Sequence, residues 1–294
     1  MNSAQSALLL CRFVYDTSAL FLWGISIFLA AMVPPGLRLD LWRRLGKCRC
    51  ALTLSIGAAV CATLPLQASV IGDGWADAKR LDVLAAVANE TSIGKAWWCQ
   101  LAGFALLLCL SRVKQSRAIG ATAFVSGGLL ASLALTGHAA MDDGVRGVLH
   151  HLNDVAHVLA AGAWIGALPV VLMLQPHFKD PATASVAIRV LRRFSTAGHV
   201  VVAIVVLSGA ASTFLILGGM PTDWAYPYQR LLALKMLVVI GMIAVAIVNR
   251  YVLVPAMRRG PVASAHFYRM TVAEIAMSII AVFLVAWFGM LEPH

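Results

Sequence analysis

The densest group of side chains able to do chemistry lies in the run His150-His151-Leu152-Asn153-Asp154-Val155-Ala156-His157. In a helix, His150, Asp154 and His157 fall at positions i, i+4 and i+7, which places them on one face, with His151 beside them. Imidazole and carboxylate groups together are typical ligands of copper or zinc. The run therefore predicts a metal site. The alternative that these groups only form hydrogen bonds between helices stays open.

Four further residues belong to this hypothesis. His138 ends the preceding apolar run and Met141 follows in a short loop, where its thioether would favour Cu(I). Asp16, about two turns into the first apolar run, would add a carboxylate. Lys235 is either a cation that neutralises the site or the partner of Asp16 in an ion pair that fixes helix packing.

A second set of polar residues falls toward the opposite ends of the apolar runs. His199 and Glu274 either form an inner path that receives an ion from the first site or extend to the membrane interface. The motif Cys48-Arg49-Cys50 has thiols that would suit Cu(I), but an isolated motif of this length is a weak signal.

The elements that must position these residues are transmembrane helices. Hydrophobic residues make up 61% of the chain, charged residues 12%, and the mean hydropathy is +0.84. Soluble domains carry about 25% charged residues. Apolar runs of roughly 20 residues recur without the alternation of barrel strands. The sequence therefore predicts an all-α polytopic bundle, a single integral membrane domain over residues 1–294, with about eight helices at 13–33, 51–71, 93–110, 118–137, 148–174, 196–217, 231–249 and 270–290.

The charges between the apolar runs predict the orientation. Every odd connection is basic, as in Arg43 and Arg44 of the first and Arg192 and Arg193 of the fifth, and the even connections are not. The positive-inside rule then places the odd connections in the cytoplasm and both termini in the periplasm of a bacterial inner membrane. The net charge of +10 is thereby explained without nucleic acid. No segment resembles a nucleotide-binding loop, which argues against ATP-driven pumping.

Three stretches resemble the CopD (PcoD) family of bacterial copper-resistance inner-membrane proteins. The first runs from His157 through Trp164 to Gly166, and the second is Arg193-Phe194-Ser195 leading to Ser208-Gly209. The third is Tyr228-Gln-Arg230-Leu-Leu-Ala-Leu-Lys235, followed by Asn249-Arg250. Gln229 stands where the family often has Gly.

The resemblance implies a copper-homeostasis protein that moves copper ions inward across the membrane, a transporter rather than an enzyme. It also implies a separate periplasmic copper carrier of the CopC type as partner. Trp164 and Arg230, as parts of the matched stretches, are expected to be structural. The alternative function is a membrane redox protein that binds haem b or oxidises copper with quinone; haem would need axial histidines from facing helices, for which His138 and His157 are candidates.

Overall fold

The computed structural model describes residues 2–136, 144–178, 180, 182–257 and 261–293, which contain helices and no strand. The α-helices are α1 Ser3–Met32, α2 Pro35–Arg44, α3 Gly46–Ile71, α4 Leu81–Glu90, α5 Ser92–Leu110, α6 Gln115–Ala131, α7 Gly144–Ile165, α8 Leu168–Met173, α9 Ala184–Leu217, α10 Pro227–Val248, α11 Val254–Ala256 and α12 Pro261–Phe288. Short 3₁₀ turns lie at Asp77–Lys79, Ser132–Leu135 and Gln175–Phe178, and a π turn at Asn249–Leu253.

Within these residues, eight helical segments are long and apolar enough to cross a membrane, which confirms the predicted all-α bundle. Several extend beyond their predicted ends. The first begins at Ser3 rather than residue 13, because Asn2 caps it. The Asn2 side chain accepts from the Gln5 amide at 2.8 Å, and the Gln5 side chain accepts from the Asn2 amide at 2.9 Å. Such a capping box starts a helix in polar sequence, where hydropathy gives no signal.

Proline interrupts two of the crossing segments. The predicted helix over 148–174 is divided, since α7 ends at Ile165 and α8 begins at Leu168 with Pro169 in its first turn. At the end of α10, the π turn Asn249–Leu253 precedes Pro255. Proline has no backbone N–H to donate, so the regular helical bonding before it is lost.

Helix α1 lies at the centre of the bundle. It packs against α3, α6, α7 and α12. Gly24 of α1 lies directly against Gly162 of α7 and against Gly166, just beyond the end of α7, and a Cβ atom at Gly24 would overlap their backbone. Small residues four apart allow membrane helices to approach this closely.

The last helices form two pairs. Helix α9 packs along α7, α10 packs along α12, and a cleft separates α9 from α10. Apolar side chains such as Leu207 and Leu237 are 70% and 65% exposed on α9 and α10. In a bundle of membrane-spanning helices, such apolar faces are those that contact lipid.

Candidate functional site

The predicted site on α7 faces α9, where the two helices share a group of polar side chains that we call the α7–α9 polar cluster. It consists of His150, Asn153, Asp154 and His157 on α7, Ser208 and Ser212 on α9, and Lys235 on α10. The cluster lies inside helices apolar enough to span a membrane, where polar side chains are costly and usually functional.

The hydrogen bonds of His157 orient its imidazole. Its Nδ1 lies 2.8 Å from the Ser208 hydroxyl oxygen, and that hydroxyl donates its proton to the Ile204 carbonyl. A hydroxyl has one proton to donate, so Ser208 must accept from His157 Nδ1–H. The neutral imidazole then carries its lone pair on Nε2. A histidine held in this way by its other nitrogen is the usual arrangement of a metal ligand.

Asp154 is held from the same neighbouring helix. Ser212 donates to its Oδ1 at 3.1 Å and accepts from Asn153 Nδ2 at 2.8 Å. The other carboxylate oxygen, Oδ2, lies 3.9 Å from Nε2 of His150, which is 1% exposed. That separation is longer than a hydrogen bond, so the two groups are near neighbours without a direct bond between these two atoms.

Lys235 on α10 contributes a basic side chain to the cluster. It interacts electrostatically with Asp154 and His157, and its Nζ lies 5.7 Å from the centre of the Phe288 ring. The charged neighbour of Asp16 is instead Arg12 on the same helix. No ion pair within 4 Å joins Asp16 to Lys235, both of which the structure describes. A packing pair between these two residues therefore has no direct contact to support it in the described structure.

Three further predicted ligands are His151, His138 and Met141. His151 bonds through Nδ1 to the Gly147 carbonyl of its own helix at 2.8 Å. His138 and Met141 lie outside the described residues. Across the described ranges, no three His, Cys, Asp or Glu side chains are placed to hold a metal ion. The full ligand set stays a prediction.

Glu274 lies deeper than its predicted place near a helix end, because α12 begins at Pro261 rather than residue 270. It is 2% exposed, so the alternative that it extends to the interface is wrong. Its two oxygens accept from Trp164 Nε1 at 2.9 Å and Asn249 Nδ2 at 3.4 Å. Trp164 therefore holds a buried carboxylate in place, which is a structural role of the kind predicted for it.

His199 and Glu274 line the same cleft, which has a volume of about 570 Å³ and lies between α9 and α10. His199 is on its exposed side, 3.0 Å from the Tyr251 hydroxyl and 2.8 Å from an Arg250 guanidinium nitrogen. The two predicted inner residues thus share one cavity, although they do not touch.

Two other sequence features lie apart from these sites. Cys48 and Cys50 are exposed and lie in the first turns of α3. Residues two apart in a helix point to different sides, so the pair does not present two thiols to one ion. Arg230 is exposed in the first turn of α10.

The sequence did not identify Ser212 and Asn249 as partners of predicted site residues. Ser208 and Ser212 are four apart in a run that is otherwise apolar, and this spacing is the signal that could have found them. Asn249 ends an apolar run beside Arg250, and its contact with Glu274 depends on the pairing of α10 with α12.

Two family profiles match the chain. "Copper resistance protein D-like, N-terminal domain" matches residues 1–148, and "Copper resistance protein D" matches residues 188–288. The second segment contains Ser208, Ser212 and Lys235, whereas the cluster residues of α7 lie between the two segments.

Three curated proteins are similar to the chain. Inner membrane protein YebZ of Escherichia coli is 31% identical over 96% of this chain and 97% of its own. Copper resistance protein D of Pseudomonas syringae is 33% identical over 70% of each chain. Copper transport protein CutJ of Bacillus subtilis is 29% identical over 62% of this chain and 35% of its own. No solved structure matches the chain.

Proposed function

Because the chain belongs to the copper resistance protein D family, we propose that it moves copper ions across the bacterial inner membrane, from the periplasm to the cytoplasm. It is a multi-pass membrane protein of a copper resistance and transport family. The inward direction is what the resemblance to that family implies, and the positive-inside rule assigns the end of α7 that carries His150 to the periplasmic side.

The observation that carries this proposal is the way α9 holds the α7 residues. Ser208 fixes the imidazole of His157 so that Nε2 carries the lone pair, and Ser212 holds the carboxylate of Asp154. His150 and His157 are seven residues apart, or about 10 Å along the helix axis. An ion received at the outer end would thus move inward from one imidazole to the next.

Lys235 supports a transport role over tight storage. A positive charge near Asp154 and His157 offsets the carboxylate and weakens the binding of a cation between them. A transporter must release its ion, so moderate affinity is an advantage. We propose that the predicted ligands His138, His151, Met141 and Asp16 act at the periplasmic side, where a CopC-type carrier would deliver copper.

Glu274 and His199 are proposed to receive the ion on the cytoplasmic side of the cluster. Trp164, which binds Glu274, is seven residues beyond His157 on the same helix, again about 10 Å along its axis. The carboxylate of Glu274 is therefore the next anionic group in the direction of the cytoplasm among the residues described on these helices.

Copper flux in proteoliposomes tests this function. Purified protein is reconstituted with a copper-sensitive dye inside the vesicles, and the wild type should accelerate dye quenching after copper is added. Asp154→Asn, which keeps the size of the side chain and removes its charge, should slow the flux. Wild-type vesicles no faster than protein-free vesicles would refute transport, and a b-type haem absorption band in the purified protein would favour the redox alternative.

A further inference from the structure

The cleft between α9 and α10 is open toward the face of the bundle that contacts lipid. Val206, Leu207 and Ile247 line it and are 46%, 70% and 52% exposed. All three lie within segments long and apolar enough to span a membrane. Its volume of about 570 Å³ lies in the range of about 300–1,000 Å³ that is typical of ligand sites. The walls are therefore suited to an apolar chain that enters from the bilayer.

One end of the cleft is cationic. Arg250, in the π turn that follows α10, reaches α9, where it donates to the Ser195 carbonyl and to Nδ1 of His199. The guanidinium carbon of Arg250 lies 5.2 Å from the centre of the Tyr251 ring, and the Tyr251 hydroxyl lies 3.0 Å from Nε2 of His199. Arginine, tyrosine and histidine together form a polar patch beside apolar walls.

The charge of Arg250 has no protein counter-ion in the described part of the chain, where no carboxylate lies within 4 Å of it. Glu274 lines the same cleft, but its oxygens are occupied by Trp164 and Asn249. A cation within a membrane-spanning segment is costly unless it is paired. Since the protein supplies no anion here, the neighbouring lipid is the available source.

We propose that this cleft binds an anionic phospholipid, with its phosphate headgroup on Arg250 and His199 and one acyl chain along Val206, Leu207 and Ile247. The planar fork of an arginine matches the geometry of a phosphate group. Basic pockets between transmembrane helices recognise anionic headgroups in this way. The acyl chain would also separate the cavity that contains Glu274 from the bilayer.

Native mass spectrometry of the full chain tests this site. The protein is supplied with equal amounts of phosphatidylglycerol and phosphatidylcholine carrying the same acyl chains, and the wild type should retain mainly phosphatidylglycerol. Arg250→Gln should lower this preference about fivefold, the effect of about 1 kcal/mol for one basic residue. Arg269→Gln removes an equal charge from an exposed position that does not line the cleft, and should leave the preference unchanged.

A second variant tests the apolar part of the site. Ile243→Trp fills the cleft from α10 and should reduce retention of both lipids. This variant shows whether lipid binds in the cleft even if Arg250→Gln does not fold. Equal retention of the two lipids by the wild type would overturn the headgroup assignment. Displacement of phosphatidylglycerol by inorganic phosphate would show a soluble-anion site instead, and unchanged retention in Ile243→Trp would exclude the cleft.

Discussion

Replacing His157 by alanine is the most direct test of the α7–α9 polar cluster. The hydrogen bonds direct Nδ1–H of His157 to Ser208 and leave the lone pair of the neutral imidazole on Nε2. Loss of a group that only orients a ligand often costs about 10–100-fold in metal affinity. Loss of the ligand itself should cost at least as much, so we expect His157→Ala to weaken copper binding by about 100-fold or more.

Two matched variants show how large the effect of His157→Ala on copper affinity is by comparison. Ser208→Ala removes the acceptor of Nδ1–H and should weaken binding about 10–100-fold. His151→Ala removes an imidazole that bonds only to its own helix in the described structure, and should have a smaller effect. Because Ser208 acts through His157, adding Ser208→Ala to His157→Ala should cause little further loss.

The assay is a copper titration of the purified protein against a competing chelator, with thermal melting as the control for folding. Equal affinity of His157→Ala and the wild type, with both folded, would refute the assignment of His157 as a ligand. A full additive loss in the double variant would show that Ser208 acts on copper independently. If His157→Ala binds copper as tightly as the wild type, the polar groups of α7 serve helix packing.

Three further predictions concern path, packing and orientation. Glu274→Gln removes the charge and keeps one acceptor oxygen for Trp164, while its amide nitrogen replaces the oxygen that accepts from Asn249. Copper flux in vesicles should fall while copper binding to the outer cluster is unchanged, and unchanged flux would make Glu274 a packing residue. Gly24→Val overlaps the backbone of α7 and should destabilise the fold by about 1–3 kcal/mol in thermal melts. The control Gly120→Val, which has open space around it, should not destabilise the fold. Equal melting temperatures of the two variants would contradict the close packing of α1 and α7. Reporter fusions at Arg112 should indicate the cytoplasm and fusions at the C-terminus the periplasm, and a cytoplasmic C-terminus would refute the orientation.

The number of crossing helices could be predicted because it depends on the length of apolar runs, which is visible in the sequence. Their ends could not, since they depend on local chemistry in polar sequence. Asn2 extends α1 by capping, and Pro169 separates α8 from α7. The error at the start of α12 had a further effect, because it placed Glu274 at an interface instead of near the middle of a helix.

The candidate site could be predicted only in part, for a related reason. The shared face of His150, Asp154 and His157 follows from helical spacing alone. The bonds from Ser208 and Ser212 require that α9, rather than another helix, packs on that face, and one sequence does not specify helix pairing. The same limit applies to Lys235, whose neighbour Asp154 lies on α7, whereas the sequence left open a pair with Asp16 on α1.

The central place of α1 has a consequence for biosynthesis. Helix α1 leaves the ribosome before α7 and α12, against which it packs and which are made more than 100 residues later. Its face with Gly24 must therefore remain in the bilayer without its final neighbour until α7 is inserted. Because α1 contacts helices from both family segments, 1–148 and 188–288, the two segments complete their folding together. A chain interrupted before α12 would leave the first helix partly unpaired in lipid, where membrane quality control could recognise it.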